Sequence, residues 1–254
     1  MPFLTVDGTR LEYEMLPAQR EGAPTLLLLH EGLGSVAAWR NFPSALATAT
    51  GCCTITYSRE GYGKSDRLRG PRSPDYMHRE ALDTLPRVID ALSIEDPVLI
   101  GHSDGASIAM IYAGDGRWKV RGLVLMAPHV FVEDVTIAGI EAAKRTYQST
   151  DLKNRLGRYH GHPDDAFWGW NDIWLDPAFR RWNIENCLGG IRCPILMIQG
   201  ADDEYGTLAQ LERIRIGATA ARISELVLAD CRHSPHRDQP AATLRAIAAF
   251  VAGL

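Results

Sequence analysis

Short, wholly apolar segments recur along this chain, and they limit its fold more than any other feature. "TLLLLH", "CTITYS", "PVLIGH", "GLVLMAP" and "PILMIQG" alternate with amphipathic stretches at 76–92, 104–113 and 237–253. A strand open to water on one face alternates apolar with polar residues, whereas one without alternation is covered on both faces. The pattern therefore predicts an α/β protein with a mostly parallel central sheet and helices on both sides. "FLTVDGTRLEYEML" does alternate, with Asp7-Gly8 between its halves, and reads as a hairpin ahead of the parallel strands.

One segment breaks the rhythm. Residues 133–190 hold no convincing strand but show helical spacing and a dense aromatic set: Tyr159, Phe167, Trp168, Trp170, Trp174, Phe179 and Trp182. The expected organisation is a core of residues 1–132 and 191–254, interrupted by a helical cap at 133–190 that lies above the sheet. At 254 residues, 46% hydrophobic and 23% charged, the chain can bury one sizeable core, and disorder or coiled coil fits poorly.

Charge and composition narrow the function. Lys plus Arg number 27 against 31 Asp plus Glu, a net −4 without a long basic block, which argues against nucleic acid or an anionic membrane as partner. No apolar run approaches the length of a membrane span. "MPFLTVDGTR" lacks the basic-then-apolar pattern of a secretory leader. Five cysteines, with Cys52 and Cys53 adjacent, give neither zinc spacing nor a disulfide framework, so a reducing cytoplasm is the expected compartment.

"PVLIGHSDGASIAMIYA" then carries the chemistry. It follows a strand with Gly101-His102-Ser103-Asp104-Gly105 and leads into a helix, which is G-x-S-x-G in the strand, turn and helix context it requires. Small neighbours let the serine adopt a strained backbone, and the helix N-terminus behind it favours developing negative charge. A serine hydroxyl needs a base to take its proton and an acid to orient that base. "PILMIQGADDEYG" places Asp203 three residues past Gly200, and "ELVLADCRHSPHRDQP" places His233 in the loop before the last helix. Asp202 and Glu204 flank the chosen acid and His236 follows the chosen base. Spacing from the strand ends favours Asp203 and His233.

In "HEGLGS", "SREGYGKSD", "GHSDG", "GADDEYG" and "HSPHRDQP" the chain resembles the α/β-hydrolase superfamily, from the hairpin to the last helix. The resemblance implies an α/β-hydrolase fold with Ser103 as nucleophile, His233 as general base and acid, and Asp203 orienting it. It also implies an oxyanion hole made by the backbone N–H groups of Gly32 and Asp104. Two positions depart from the usual pattern: His30-Glu31 stands where most members have His-Gly, and Arg232-His233 where they have Gly-His.

The same loop also fits another fingerprint. Gly32-Leu33-Gly34-Ser35-Val36-Ala37 matches the G-x-G-x-x-G/A loop of dinucleotide sites, but that fold wants an acid at the tip of the next strand, which here ends in Ser58 and Arg59. Glu31 would also set a carboxylate beside the pyrophosphate. The oxyanion-loop reading accounts for all the motifs together. His160-Gly-His162 with Asp164 and Asp165 reads as a polar loop rather than a metal site. Candidate pocket residues are His30, His129, Trp168, Trp170 and Trp174, although a satisfied loop histidine is the simpler reading of His129.

The expected function is a cofactor-free, metal-free serine hydrolase acting on a small-molecule carboxylic ester or related acyl compound. The same triad would serve hydrolysis of a carbon–carbon bond, lactone or amide, and a catalytically silent receptor on this fold is the rival from another class. Oligomeric state leaves no mark on the pattern.

Overall fold

The computed structural model describes residues 2–254. Eight strands form one sheet: β1 Phe3–Val6, β2 Thr9–Leu16, β3 Thr25–Leu29, β4 Cys53–Tyr57, β5 Val98–His102, β6 Gly122–Met126, β7 Ile195–Gly200 and β8 Ile223–Leu228. Their order is β1-β2-β4-β3-β5-β6-β7-β8. β2 runs antiparallel to β1 and β4, and every other pairing is parallel. Asp7 and Gly8 both take positive φ, 49° and 73°, as the tight hairpin between β1 and β2 demands.

The apolar strands are covered on both faces, as the lack of alternation predicts. Along β3, Leu27 and Leu29 join one core while Leu26 and Leu28 join the other, because successive side chains leave opposite faces. Each is 1% exposed or less, worth roughly 2 kcal/mol of transfer free energy. One face is covered by α1 (Phe42–Thr50) and, after β8, the C-terminal helix Pro240–Ala252. The other carries α2 (Tyr76–Arg79), a π turn at Glu80–Thr84, α3 (Leu85–Ala91) and α4 (Asp104–Asp115), whose first ten residues are all buried.

Between β6 and β7 lie α5 (Asp134–Ser149), α6 (Leu152–Leu156), α7 (Pro163–Trp174) and α8 (Glu185–Leu188). α5 packs on α7, with Tyr147 stacked on Phe167 at 3.8 Å between ring centroids. The only pairing here is an isolated bridge from Phe131 to Asn183. α8 lies against α4, where an added Cβ at Gly114 would overlap the Cys187 carbonyl. After β7 come α9 (Ala209–Gly217), α10 (Pro235–Asp238) and the C-terminal helix, α11. No helix among the described residues is long and apolar enough to cross a membrane.

β3 is the point where the crossovers part: the chain leaves it on one side to β4, then returns over it to β5. Such a switch point opens a crevice at the carboxyl ends of the strands. Both motif-bearing loops, after β3 and after β5, emerge there. They approach so closely that a Cβ on Gly105 would overlap the carbonyl oxygen of Leu29. Gly105→Ala is expected to lower unfolding free energy by about 2–3 kcal/mol. Gly189, with φ −63° and open space around its Cα, is the control: Gly189→Ala should be neutral or stabilise by about 0.4–1 kcal/mol. Urea unfolding followed by far-UV circular dichroism checks both.

Candidate active site

Ser103 stands between β5 and α4 with φ 52° and ψ −118°, a region a non-glycine residue occupies at a cost of about 1–3 kcal/mol. Packing holds it there. The Ser103 N–H donates to the Met126 carbonyl at 2.9 Å, and an added Cβ at Gly101 would meet Ala106 Cα at 2.5 Å. The side chain of Ser103 lies on the wall of a cavity of about 190 Å³.

His233 shares that wall. Its Nδ1 lies 2.8 Å from Asp203 Oδ1 and 2.9 Å from Oδ2. The carboxylate is fixed in turn by Gln199 Nε2 at 2.6 Å and the Tyr205 N–H at 2.8 Å. Burial alone would raise the Asp203 pKa, but the charge and hydrogen bond of His233 hold it below the ordinary carboxylate value. The reciprocal effect acts on His233: burial opposes its protonation, and the Asp203 carboxylate overcomes this and raises its pKa. Ser103 Oγ and His233 make no hydrogen bond with each other, as is common before substrate draws nucleophile and base together.

His102, between Gly101 and Ser103, supports His233 from below. Its Nε2 donates to the His233 carbonyl at 2.7 Å, and its Nδ1 stands 3.4 Å from Glu31 Oε2, an ion-pair distance without hydrogen-bond alignment. Glu31, one of the two departures, thus turns its carboxylate toward His102 and, through Oε1 at 3.3 Å, toward Arg237. Burial works to neutralise Glu31, yet His102 and Arg237 hold its pKa well below the usual value. At the second departure, Arg232 pairs with Glu204 at 3.1 Å. Glu204 also accepts the His233 N–H at 3.2 Å, so this flanking acid braces the loop. His236 is buried against Trp39 and Phe42, at 4.9 and 5.3 Å between ring centroids.

Gly32 lines the cavity, and neither its N–H nor that of Asp104 has a partner among the described residues. His129, Trp170 and Trp174 line it too. His129 is neutral, since burial and then the nearby His233 push its pKa down to about 3, and its Nδ1 has no partner among the described residues.

Two candidate pocket residues are corrected. His30 is fully buried beneath the loop, its Nε2 accepting the Arg59 N–H at 3.1 Å and its Nδ1 directed to the Glu31 carbonyl at 2.6 Å. Trp168 points from α7 into a separate surface hollow with Leu68 and Arg72, two residue steps rotating it about 200° from Trp170. Both ring nitrogens of His160 are engaged: Nδ1 accepts the Gly63 N–H at 3.0 Å and Nε2 donates to the Leu33 carbonyl at 3.1 Å.

The sequence reading missed Glu31, Leu33, Thr136, Ile140, Tyr205, Ser234 and Arg237 as cavity residues. Thr136 and Ile140, one helical turn apart on α5, left only an amphipathic pattern. Gln199 did leave a signal, as the lone amide in the apolar strand β7.

Comparison with known proteins identifies the family. The alpha/beta hydrolase family model matches residues 26–246. A 2-hydroxy-6-oxononadienedioate/2-hydroxy-6-oxononatrienedioate hydrolase of Paraburkholderia phymatum is 35% identical over 215 residues, covering 72% of this chain and 72% of that protein. RutD of Azorhizobium caulinodans is 35% identical over 127 residues, half of this chain but only 44% of its own length. Among solved structures, the enol-lactonase from Burkholderia xenovorans LB400 superposes with a TM-score of 0.76 at 20% identity, over 99% of this chain and 100% of that one. The chain belongs to the alpha/beta hydrolase family, and it is a hydrolase with a small-molecule substrate.

Proposed function

We propose that the chain hydrolyses small carboxylic esters through an acyl-enzyme on Ser103. The observation that carries this reading is the strained Ser103 elbow opening onto the same cavity as His233, whose Nδ1 is held by Asp203. His233 Nε2 takes the Ser103 proton as Oγ attacks the carbonyl, then delivers it to the leaving alcohol. In the second half-reaction it activates water, and the acid is released. The N–H groups of Gly32 and Asp104 receive the oxyanion, with the N-terminus of α4 adding its dipole.

Size and lining support a small acyl group. An apolar cavity of about 150 Å³ takes a benzene ring, so a chamber of about 190 Å³ suits a short or aromatic acyl chain. Ile140, Trp170 and Trp174 form its apolar side, and the unpartnered Nδ1 of His129 supplies a hydrogen bond to the substrate. Residues 133–190 serve as the cap, since α5 and α7 provide that apolar wall. No cofactor or metal takes part, and free thiols at all five cysteines support a reducing cytoplasm.

A second reading, hydrolysis of a dienedioate of the kind named for the P. phymatum relative, draws support from Arg237 on the cavity wall, a cation suited to a carboxylate. Parallel assays with p-nitrophenyl acetate, p-nitrophenyl benzoate and a 2-hydroxy-6-oxo dienedioate separate the two.

Two outcomes are expected on the preferred ester. Ser103→Ala should lower turnover by about 10⁴-fold or more and abolish fluorophosphonate labelling while circular dichroism shows a folded chain; parental turnover in this variant would defeat the reading. Catalysis needs neutral His233, so its raised pKa should set the acid limb of kcat/KM above the ordinary histidine value of about 6.5. Asp203→Asn removes the dominant cause of that shift, so the limb should move to lower pH as kcat falls by about 10⁴-fold. A pH–rate profile of both proteins measures it.

A further inference from the structure

Arg59 follows β4 and is 1% exposed. Its Nη1 donates to the His30 carbonyl at 2.5 Å and its Nη2 to the Glu31 carbonyl at 3.1 Å. Its backbone N–H donates to His30 Nε2, which leaves the His30 proton on Nδ1. That Nδ1–H then donates to the same Glu31 carbonyl at 2.6 Å. Burial and the adjacent Arg59 charge keep His30 neutral, holding its pKa well below the ordinary value.

Two side-chain donors therefore join the Gly34 N–H, at 3.1 Å, on one carbonyl, and the peptide unit bearing it also bears the Gly32 N–H. Because that unit is planar and trans, fixing its C=O fixes the direction of its N–H. Hydrogen bonds to the carbonyl also polarise the amide and make the N–H a stronger donor. Arg59 reaches the other side of the site as well. Its Nη2 stands 4.0 Å from Asp104 Oδ2, in a carboxylate held by Tyr76 Oη at 2.7 Å and Trp174 Nε1 at 3.3 Å. A buried carboxylate one residue from the nucleophile would repel a developing oxyanion, and the guanidinium offsets that repulsion. Fold stability alone is a poor reason for such a group: buried charge is costly, and Arg59 Nε has no partner among the described residues.

We infer that Arg59 is a positioning residue for the oxyanion hole, aligning and polarising the Glu31–Gly32 peptide while neutralising Asp104. This rests on the ester-hydrolase reading above. Arg59→Lys keeps a charge but loses the two-pronged grip. Arg59→Met with Asp104→Asn removes both charges together and guards against a variant that merely fails to fold.

The experiment measures kcat and KM with p-nitrophenyl acetate, inhibition by an aryl trifluoromethyl ketone, and the ¹⁵N resonance of the Gly32 amide. In folded variants kcat should fall about 10²-fold with KM within threefold. Trifluoromethyl ketone inhibition should weaken in step, since that ligand forms the oxyanion. The Gly32 ¹⁵N resonance should move upfield as its peptide carbonyl loses a donor. Unchanged kcat, inhibition and Gly32 resonance in a folded Arg59→Lys protein would overturn the inference, as would a loss confined to KM. The amide resonance reports on Arg59 whatever the substrate; a parent protein that fluorophosphonate fails to label at Ser103 would instead overturn the hydrolytic mechanism.

Discussion

The backbone contact between Gly105 and Leu29 is the constraint from which the site follows. Helix α4 can start immediately above the end of β3 only because no side chain intervenes. That approach sets the Ser103 elbow beside the loop at 30–34, so two loops that follow strands adjacent in the sheet meet although they lie about seventy residues apart in the chain. Strain at Ser103 is held by the same packing: its N–H is tied to Met126 on β6, and α4 behind it is buried on every side. A rigid floor of this kind costs no reorganisation when charge develops above it.

Charge around this floor is arranged in opposed pairs. Three carboxylates, Glu31, Asp104 and Asp203, gather about the cavity that Ser103 lines, which would be unfavourable if they were free. Each faces a cation or donor set instead: Glu31 faces His102 and Arg237, Asp104 faces Arg59, Tyr76 and Trp174, and Asp203 faces His233, Gln199 and two backbone N–H groups. The departure at Glu31 becomes intelligible on these terms. Its side chain turns away from its own backbone loop to bridge His102, the neighbour of Ser103, and Arg237 of α10.

What could be read from the sequence was local. Strand continuity, the Asp7-Gly8 hairpin and the strand-turn-helix around Ser103 are each encoded within a few residues, and Asp203 and His233 are marked by distance from strand ends. The cavity walls are set by where distant helices dock, and no short pattern records that. Trp168 and Trp170 look alike in sequence, yet a rotation of two helical steps puts one in the chamber and the other outside. His30 misleads for the opposite reason: a histidine next to a catalytic loop invites a role in the pocket, whereas its two nitrogens are consumed in holding the backbone. Gln199 was visible as a polar residue in an apolar strand, but its partner was not.

A division of labour follows between the two parts of the chain. The sheet edge supplies Ser103, Asp203 and His233, held by backbone geometry, hydrogen bonds and the Asp203–His233 pair. The helices between β6 and β7 supply Thr136, Ile140, Trp170 and Trp174 to the wall of the chamber that Ser103 also lines. These helices also touch the floor: besides the stacking of Tyr147 on Phe167, the Trp170 indole lies over Gly32, where an added Cβ would overlap it, and faces Tyr205 at 6.4 Å between ring centroids. Trp174 packs on His129 at 5.4 Å and its Nε1 holds the Asp104 carboxylate at 3.3 Å. Through these two indoles the shape of the chamber is coupled to the loop at Gly32 and to the electrostatics beside Ser103.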